Sequence, residues 1–201
     1  MSLKEQEILQ EFADSKAILK GHFILSSGLH SDTYMQCARV LMNPKRAEKL
    51  CSALAEKVEE RLGKNFFDIV VAPAMGGVVV GYEMGRQLGL ETIFCERVNG
   101  IFELRRGFEL PKESRVLVVE DVITTGKSSL ETYALVEKFG AKVVAECSLV
   151  DRSNDRNLEQ KMKVPVISLL QIEVQTFDEN NVPENLKDIP AVKPGSRFIQ
   201  K

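Results

Sequence analysis

The chain has 201 residues, 44% of them hydrophobic, which is enough to bury one sizeable core, and we predict a single domain over residues 1–201. Its 27 basic and 29 acidic residues are mixed along the sequence, so the basic surface of a nucleic-acid-binding protein is not expected. Four widely spaced cysteines argue against a disulfide-stapled scaffold, and no apolar run is long enough for a membrane span, so we expect a cytoplasmic protein with no membrane partner.

The first third of the chain predicts two helices. Apolar residues at helical spacing, ending with Ile18, predict an amphipathic helix over residues 4–19, followed by a polar, glycine-containing turn region. Asn43 and Pro44 have the pattern of an N-cap followed by proline at the first helical position. Apolar residues then recur on one face until Gly63, so this is the best-defined helix of the sequence.

The central part of the chain alternates short valine-rich runs with helical patterns. The runs lack polar alternation, as strands buried on both faces do. They span residues 69–72, 116–119 and 143–150, with helical patterns at 78–88 and 128–139 and a mostly irregular tail at 178–201. This alternation predicts an α/β fold with a central, mostly parallel sheet flanked by helices. Such sheets bind ligands at the carboxyl ends of their strands, where we expect the chemistry.

The segment after the second run carries the strongest functional signal. Glu120 and Asp121 follow four aliphatic residues and share a predicted loop with Thr124 and Thr125, next to a helix start. A helix N-terminus offers free N–H groups to an anion, and Gly126 allows the backbone to approach it closely. Paired carboxylates can accept hydrogen bonds from the vicinal hydroxyls of a ribose. We therefore predict a ribose 5-phosphate site formed by Glu120, Asp121, Val122, Ile123, Thr124, Thr125, Gly126, Lys127 and Ser128.

Two other interpretations of this segment are open. A Walker A loop also ends in Gly-Lys-Ser, but it requires glycine where this chain has Asp121. A buried strand that runs into a capped helix without any ligand is the purely structural alternative. The two acids at the end of the aliphatic run favour a binding site over that alternative.

The segment Glu120 to Ser128 resembles the ribose-phosphate signature of the type I phosphoribosyltransferases. Four other segments resemble the orotate phosphoribosyltransferases within that family: residues 21–28, 72–77, 104–108 and 151–152. The likeness covers roughly residues 10 to 152. The resemblance implies the family fold with an N-terminal hood formed by residues 1–40. It also implies a Mg²⁺-dependent glycosyltransferase of pyrimidine biosynthesis that joins orotate to 5-phosphoribosyl 1-diphosphate (PRPP), with Mg²⁺ held mainly through PRPP.

The resemblance also assigns roles to single residues. It implies a homodimer in which the catalytic loop, residues 96–108, reaches the site of the neighbouring chain. The implied catalytic residues are Glu120, Asp121, Arg97 and Arg105; Met75 and Gly76 join the PRPP site; and Ser27, Gly28, Tyr34, Thr124 and Arg152 bind orotate.

This sequence lacks some of the basic residues that the family carries in two loops. The loop at Met75 lacks the lysine of many members, and the catalytic loop contains neither lysine nor histidine. Arginine grips phosphate oxygens with two hydrogen bonds, so Arg97 and one of Arg105 and Arg106 are the expected clamps on the leaving diphosphate. A purine phosphoribosyltransferase and a ligand-sensing regulator without turnover are the alternatives. The hood and Arg152 argue against the first, and the length and charge balance argue against the second.

Overall fold

A computed structural model describes residues 3–25 and 28–194. The strands are β1 (Ile18–Ile24), β2 (His30–Met35), β3 (Ile69–Pro73), β4 (Thr92–Val98), β5 (Ile101–Leu104), β6 (Arg115–Ile123), β7 (Lys142–Asp151), β8 (Val166–Gln171) and β9 (Thr176–Phe177). The α-helices are α1 (Glu5–Asp14), α2 (Cys37–Leu41), α3 (Pro44–Leu62), α4 (Gly76–Leu88), α5 (Lys127–Lys138), α6 (Leu158–Met162) and α7 (Glu184–Lys187).

Six strands form the main sheet in the order β5-β4-β3-β6-β7-β8, and every pair is parallel except β4 and β5. Helices α1 to α4 contribute to one apolar cluster of the core, and α5 and α6 contribute to another. The predicted α/β class with a mostly parallel, helix-flanked sheet is confirmed. Because β3 and β6 are neighbours, the segments that follow them meet at one edge of the sheet.

The segment before α2 forms a second, small sheet. Strands β1 and β2 pair antiparallel as a hairpin, and β9 from the C-terminal region adds to β2. The prediction of one helix over residues 4–19 is wrong at its end, since α1 stops at Asp14 and Ile18 begins β1. Helix α1 buries Ile8 and Phe12 in the core of the main sheet, and Met35 at the end of β2 belongs to the same apolar cluster, so the hairpin is joined to that core at its base.

The predicted N-cap of α3 is confirmed. The Asn43 side chain accepts hydrogen bonds from the backbone N–H groups of Lys45 and Arg46, at 3.1 and 3.3 Å. These bonds satisfy two of the donors that a helix start leaves free, and Pro44 occupies the first turn. Gly63, with φ of 91°, ends the helix as expected.

Three parts of the chain are more regular than the sequence indicated. Strands β4, β5 and β8 were not predicted, and the expected catalytic loop, residues 96–108, overlaps the antiparallel β4–β5 hairpin. The tail contains a short 3-10 turn at Glu179–Asn181 and helix α7, and Val192 pairs with Phe23 of β1. Among the described residues, no helix has the length and apolar character needed to cross a bilayer.

Candidate active site

The two acids of the motif lie in a strand, which corrects the prediction that they belong to a loop. Strand β6 continues to Ile123 because its backbone pairs with β7 as far as Asp151. Successive side chains of a strand point to opposite faces, so the two carboxylates have different neighbours. Glu120 is 7% exposed and its charge interacts with Glu146 and Arg97, whereas Asp121 faces the start of α4.

Burial governs the protonation of both acids. The pKa of Glu120 is raised well above its ordinary value by burial first, then by the negative charges of Asp121 and Glu146, and Arg97 opposes this. Burial also raises the pKa of Asp121, and the hydrogen bond that its Oδ1 accepts from the Val122 N–H at 3.0 Å acts against the rise. Hydrogen-bond donors from a ligand would therefore stabilise the ionised carboxylates, which burial disfavours.

Three residues, 124–126, connect β6 to α5, where the anion-binding turn is predicted. Thr124 and Thr125 are exposed, and Gly126, with φ of 72°, is the N-cap of α5 and is buried. The Lys127 N–H donates to Oγ1 of Thr125 at 3.4 Å, while the Gly126 N–H has no hydrogen-bond partner among residues 3–25 and 28–194. A free N–H group at a helix start is suited to bind a phosphate.

Two members of the predicted PRPP set point away from this turn. The Ile123 side chain is 1% exposed and belongs to the apolar cluster around α5, and Val122 packs against the other cluster of the core. Only the backbone of these two residues is available to a ligand.

The loop after β3 lies beside Asp121. The peptide bond between Ala74 and Met75 is cis, the Met75 side chain is 79% exposed, and α4 begins at Gly76. A Cβ placed on Gly76 would lie 2.6 Å from Oδ1 of Asp121. The structure therefore brings the expected diphosphate loop and the expected ribose carboxylate together, at the shared edge of β3 and β6.

A second group of polar side chains, those of Tyr34, Cys37 and Arg152, lies near Asp121. Burial lowers the pKa of Arg152, and the nearby Tyr34 and Cys37 oppose the shift. Burial raises the pKa of Tyr34, with Arg152 lowering it and Asp121 raising it further. The Cys37 thiol donates to the backbone carbonyl of Asp121 at 3.6 Å. These interactions place Tyr34, at the end of the hairpin, in the same pocket as Arg152 and Asp121.

Arg152 is held by its backbone. Its N–H donates to the carbonyl of Ile123 at 3.0 Å, which fixes the residue beside the end of β6. The partly buried guanidinium forms no salt bridge or side-chain hydrogen bond within the part of the chain that the structure describes. A partly buried cation of this kind can receive a carboxylate from a ligand.

The hairpin residues of the expected base site are only partly described. Gly28 lies at the turn between β1 and β2 with φ of 89°, and a Cβ added there would meet nothing within 4 Å. Ser27 lies outside the described residues.

The arginines of the expected catalytic loop differ in how many ion pairs and hydrogen bonds their side chains form. Arg97 forms an ion pair with Glu131 of α5, donates to the carbonyl of Gly100 at 2.7 Å and lies 4.0 Å from the centre of the Phe102 ring. Arg106 donates two hydrogen bonds to Glu96, both at 2.8 Å. Arg105 is exposed and forms no ion pair among the described residues. Of the two adjacent arginines, Arg105 is therefore the one available to a ligand.

The sequence did not predict a buried acid that contacts α5. Glu146 of β7 is 0% exposed and accepts hydrogen bonds from Oγ of Ser129 at 2.7 Å and from the Tyr133 hydroxyl at 2.5 Å. Burial raises the pKa of Glu146 to about 7, while the two hydroxyls act in the opposite direction. An acid inside a valine-rich run was the available signal, since acidic residues are rarely buried without partners.

Comparisons with known proteins place this chain in a family. Residues 38–188 match the model of the phosphoribosyl transferase domain. The chain is 53% identical to the orotate phosphoribosyltransferase of Erythrobacter litoralis, covering 97% of this chain and 99% of that one. It is 51% identical to that of Rhizorhabdus wittichii, over 97% of each chain. The crystal structure of orotate phosphoribosyltransferase from Aeropyrum pernix matches with a TM-score of 0.67 and 26% identity, over 82% of this chain and 93% of that one.

Proposed function

The chain belongs to the orotate phosphoribosyltransferase family, and from that membership we propose that it transfers the 5-phosphoribosyl group of PRPP to orotate. The products are orotidine 5'-monophosphate and diphosphate, in pyrimidine biosynthesis. The single observation that carries the choice of base is Arg152, a partly buried cation near Tyr34 and Cys37 that forms no ion pair within the described residues. Orotate carries a carboxylate that a guanidinium can bind with two hydrogen bonds, and purine bases carry none.

The ribose phosphate binds at the end of β6. Glu120 and Asp121 accept hydrogen bonds from the ribose hydroxyls, which favour the ionised form of both carboxylates. The free N–H of Gly126 and the hydroxyls of Thr124 and Thr125 bind the 5-phosphate at the start of α5. Held at both ends, the ribose presents its anomeric carbon to the base that Arg152 orients, with Thr124 and Tyr34 beside it.

The reaction forms a bond between N1 of orotate and the anomeric carbon as the bond to diphosphate breaks, and the proton of N1 is released. Positive charge develops on the ribose ring and negative charge on the leaving group. Backbone groups of Met75 and Gly76 receive the diphosphate, and Arg105 stabilises its charge. Arg97 adds to this once its guanidinium exchanges the ion pair with Glu131 for the diphosphate. Arginine stays protonated throughout, so this chain acts on the leaving group by electrostatics and positioning, without a lysine or histidine in the catalytic loop.

Magnesium fits this pocket as a partner of the substrate. The described residues contain no cluster of three or more histidine, cysteine or acidic side chains that could hold a metal ion. Mg²⁺ is commonly bound through one or two carboxylates together with substrate phosphates, and Glu120 and Asp121 are the carboxylates available. When bound, the ion neutralises charge on the diphosphate.

We propose that the enzyme is a cytoplasmic homodimer. Met75, Val79 and Tyr82 are spaced along one face of α4 and are 79%, 49% and 69% exposed, and Met42 at the end of α2 is 77% exposed. Exposed apolar residues that cluster on one helix face are typical of an interface between subunits. We propose that the 96–108 hairpin of a partner on this face reaches the neighbouring site, as the family resemblance implies. All four cysteines are buried free thiols, which supports a reducing compartment.

Initial rates test the function directly. Purified protein is mixed with PRPP, orotate and Mg²⁺, and orotate consumption and diphosphate release are followed together. We expect both at equal rates, and loss of both when the metal is chelated. Diphosphate release without orotate consumption would contradict the proposed transfer.

A further inference from the structure

Helix α6 approaches the phosphate-binding turn from outside the pocket. The side-chain ammonium of Lys161 donates a hydrogen bond to the backbone carbonyl of Thr125 at 2.6 Å. The Met162 side chain lies behind the next residue, since a Cβ placed on Gly126 would come within 2.1 Å of its terminal methyl carbon. The turn is therefore held from one side by both residues at the end of α6.

The hydrogen bond from Lys161 fixes the orientation of one peptide group. In a planar trans peptide the C=O and the N–H point in opposite directions. The carbonyl of Thr125 points towards Lys161, so the N–H of Gly126 points away from α6. That N–H has no hydrogen-bond partner among the described residues, and it lies at the start of α5, where an anion is favoured.

Helix α6 is anchored firmly enough to serve as such a support. Leu158 and Met162 are 5% and 2% exposed and belong to the apolar cluster around α5. Glu159 accepts a hydrogen bond from the Val166 N–H at 3.0 Å and forms an ion pair with Arg61 at 2.8 Å. The position of the Lys161 ammonium is thus set by packing on the main sheet.

We propose that Lys161 is a positioning residue for the 5-phosphate of PRPP. It acts through the Thr125–Gly126 peptide, keeping the Gly126 N–H directed at the phosphate before the substrate arrives, and it adds one positive charge to the rim of the site. This role deepens the proposed function, because it concerns how the same pocket binds its phosphoribosyl donor.

The test compares Lys161→Met with Lys161→Arg and with Lys163→Met. Lys163 follows α6 directly and is exposed, and its side chain makes no hydrogen bond or ion pair within the described ranges, so Lys163→Met is a matched loss of charge. We expect Lys161→Met to raise the KM for PRPP about tenfold, the effect of losing one charge-assisted hydrogen bond. The KM for orotate and kcat should not change, and Lys161→Arg should restore the KM for PRPP.

A binding measurement separates this inference from the proposed function. Calorimetric titration with ribose 5-phosphate needs no turnover, and Lys161→Met should weaken that binding about tenfold while Lys163→Met leaves it unchanged. If the wild-type enzyme binds ribose 5-phosphate but does not consume orotate, the proposed function fails and the titration still decides the role of Lys161. Equal ribose 5-phosphate binding by Lys161→Met and Lys163→Met, with both folded by circular dichroism, would overturn the role. So would an Arg variant as weak as the Met variant.

Discussion

Gly76 lies directly against Asp121, and a Cβ built on Gly76 would be 2.6 Å from one carboxylate oxygen and 2.8 Å from the other. Gly76 does not adopt a left-handed conformation, so its backbone would accept an alanine. The contact with the Asp121 carboxylate is what excludes the added Cβ. We predict that Gly76→Ala displaces the Asp121 carboxylate and lowers kcat/KM for PRPP about 10- to 100-fold, equivalent to about 1.4 to 2.7 kcal/mol. Steady-state kinetics at saturating orotate measure this effect.

Gly81→Ala is the control for that substitution. A Cβ on Gly81 would lie 2.6 Å from the Cβ of Ala72 in β3, so the clash is inside the helix–sheet contact and far from any carboxylate. We expect Gly81→Ala to lower the melting temperature while the KM for PRPP of the folded enzyme stays unchanged. An identical rise in that KM for both variants would show that Gly76 has no special relation to Asp121.

Replacing Arg152 tests the assignment of the base. Arg152→Met keeps the apolar stem and removes the guanidinium, so we expect the KM for orotate to rise about 10- to 100-fold, since hydrogen bonds to charged groups contribute about 1.5 to 3 kcal/mol. The KM for PRPP should change little. Arg156→Met, an exposed position on the same connection, is the matched control. An unchanged KM for orotate in Arg152→Met would remove the residue from the orotate site.

Glu146 predicts how stability depends on pH. Burial raises the pKa of Glu146 from 4.5 to about 7, so in this range the folded protein keeps a proton that the unfolded chain has released. The free energy of unfolding should therefore fall as pH rises from about 4.5 to about 7, by up to about 3 kcal/mol from this one group. Glu120 and Asp121 add in the same direction, because burial raises the pKa of each.

Glu146→Gln isolates that contribution. Urea unfolding at pH 5 and pH 8 gives the free energy of unfolding of both proteins. We expect the wild type to lose more stability than Glu146→Gln between these two pH values. Parallel pH profiles would mean that Glu146 does not carry a proton in the folded protein.

The exposed face of α4 predicts the behaviour of the free protein in solution. Tyr82→Glu places a charge among Met75, Val79 and Met42, and we expect it to convert a dimer into a monomer at assay concentration. Tyr82→Phe retains the apolar ring and should remain dimeric. Sedimentation velocity distinguishes the two, and a wild type that sediments as a monomer would rule out this interface.

The sequence predicted those parts of the fold that local chemistry determines. Asn43 and Pro44 marked the start of α3 because capping and proline placement depend on neighbouring residues. The position of Asp121 in a strand was missed because acidic residues are depleted in strands, and here pairing with β7 overrides that preference. Ile18 was assigned to a helix because a single apolar position fits either period.

The candidate site shows the same division. The candidate residues at the end of β6 were predicted from their order along the chain, in which acids, hydroxyls and glycine follow one another. Lys161 gave no signal, because its contact with Thr125 joins residues 36 positions apart and depends on how α6 packs. The sequence also could not show which of Arg105 and Arg106 is available to a ligand. That depends on a tertiary contact, the hydrogen bond from Arg106 to Glu96.

A competition assay tests the central claim, that the pocket formed by Asp121, Tyr34 and Arg152 selects a carboxylate-bearing pyrimidine. Wild-type enzyme, PRPP and Mg²⁺ are incubated with equal concentrations of orotate, adenine, guanine and hypoxanthine, and the nucleotide products are separated and identified. We predict that orotidine 5'-monophosphate is the product, formed together with an equal amount of diphosphate. A purine nucleotide formed in preference to orotidine 5'-monophosphate would contradict the assignment.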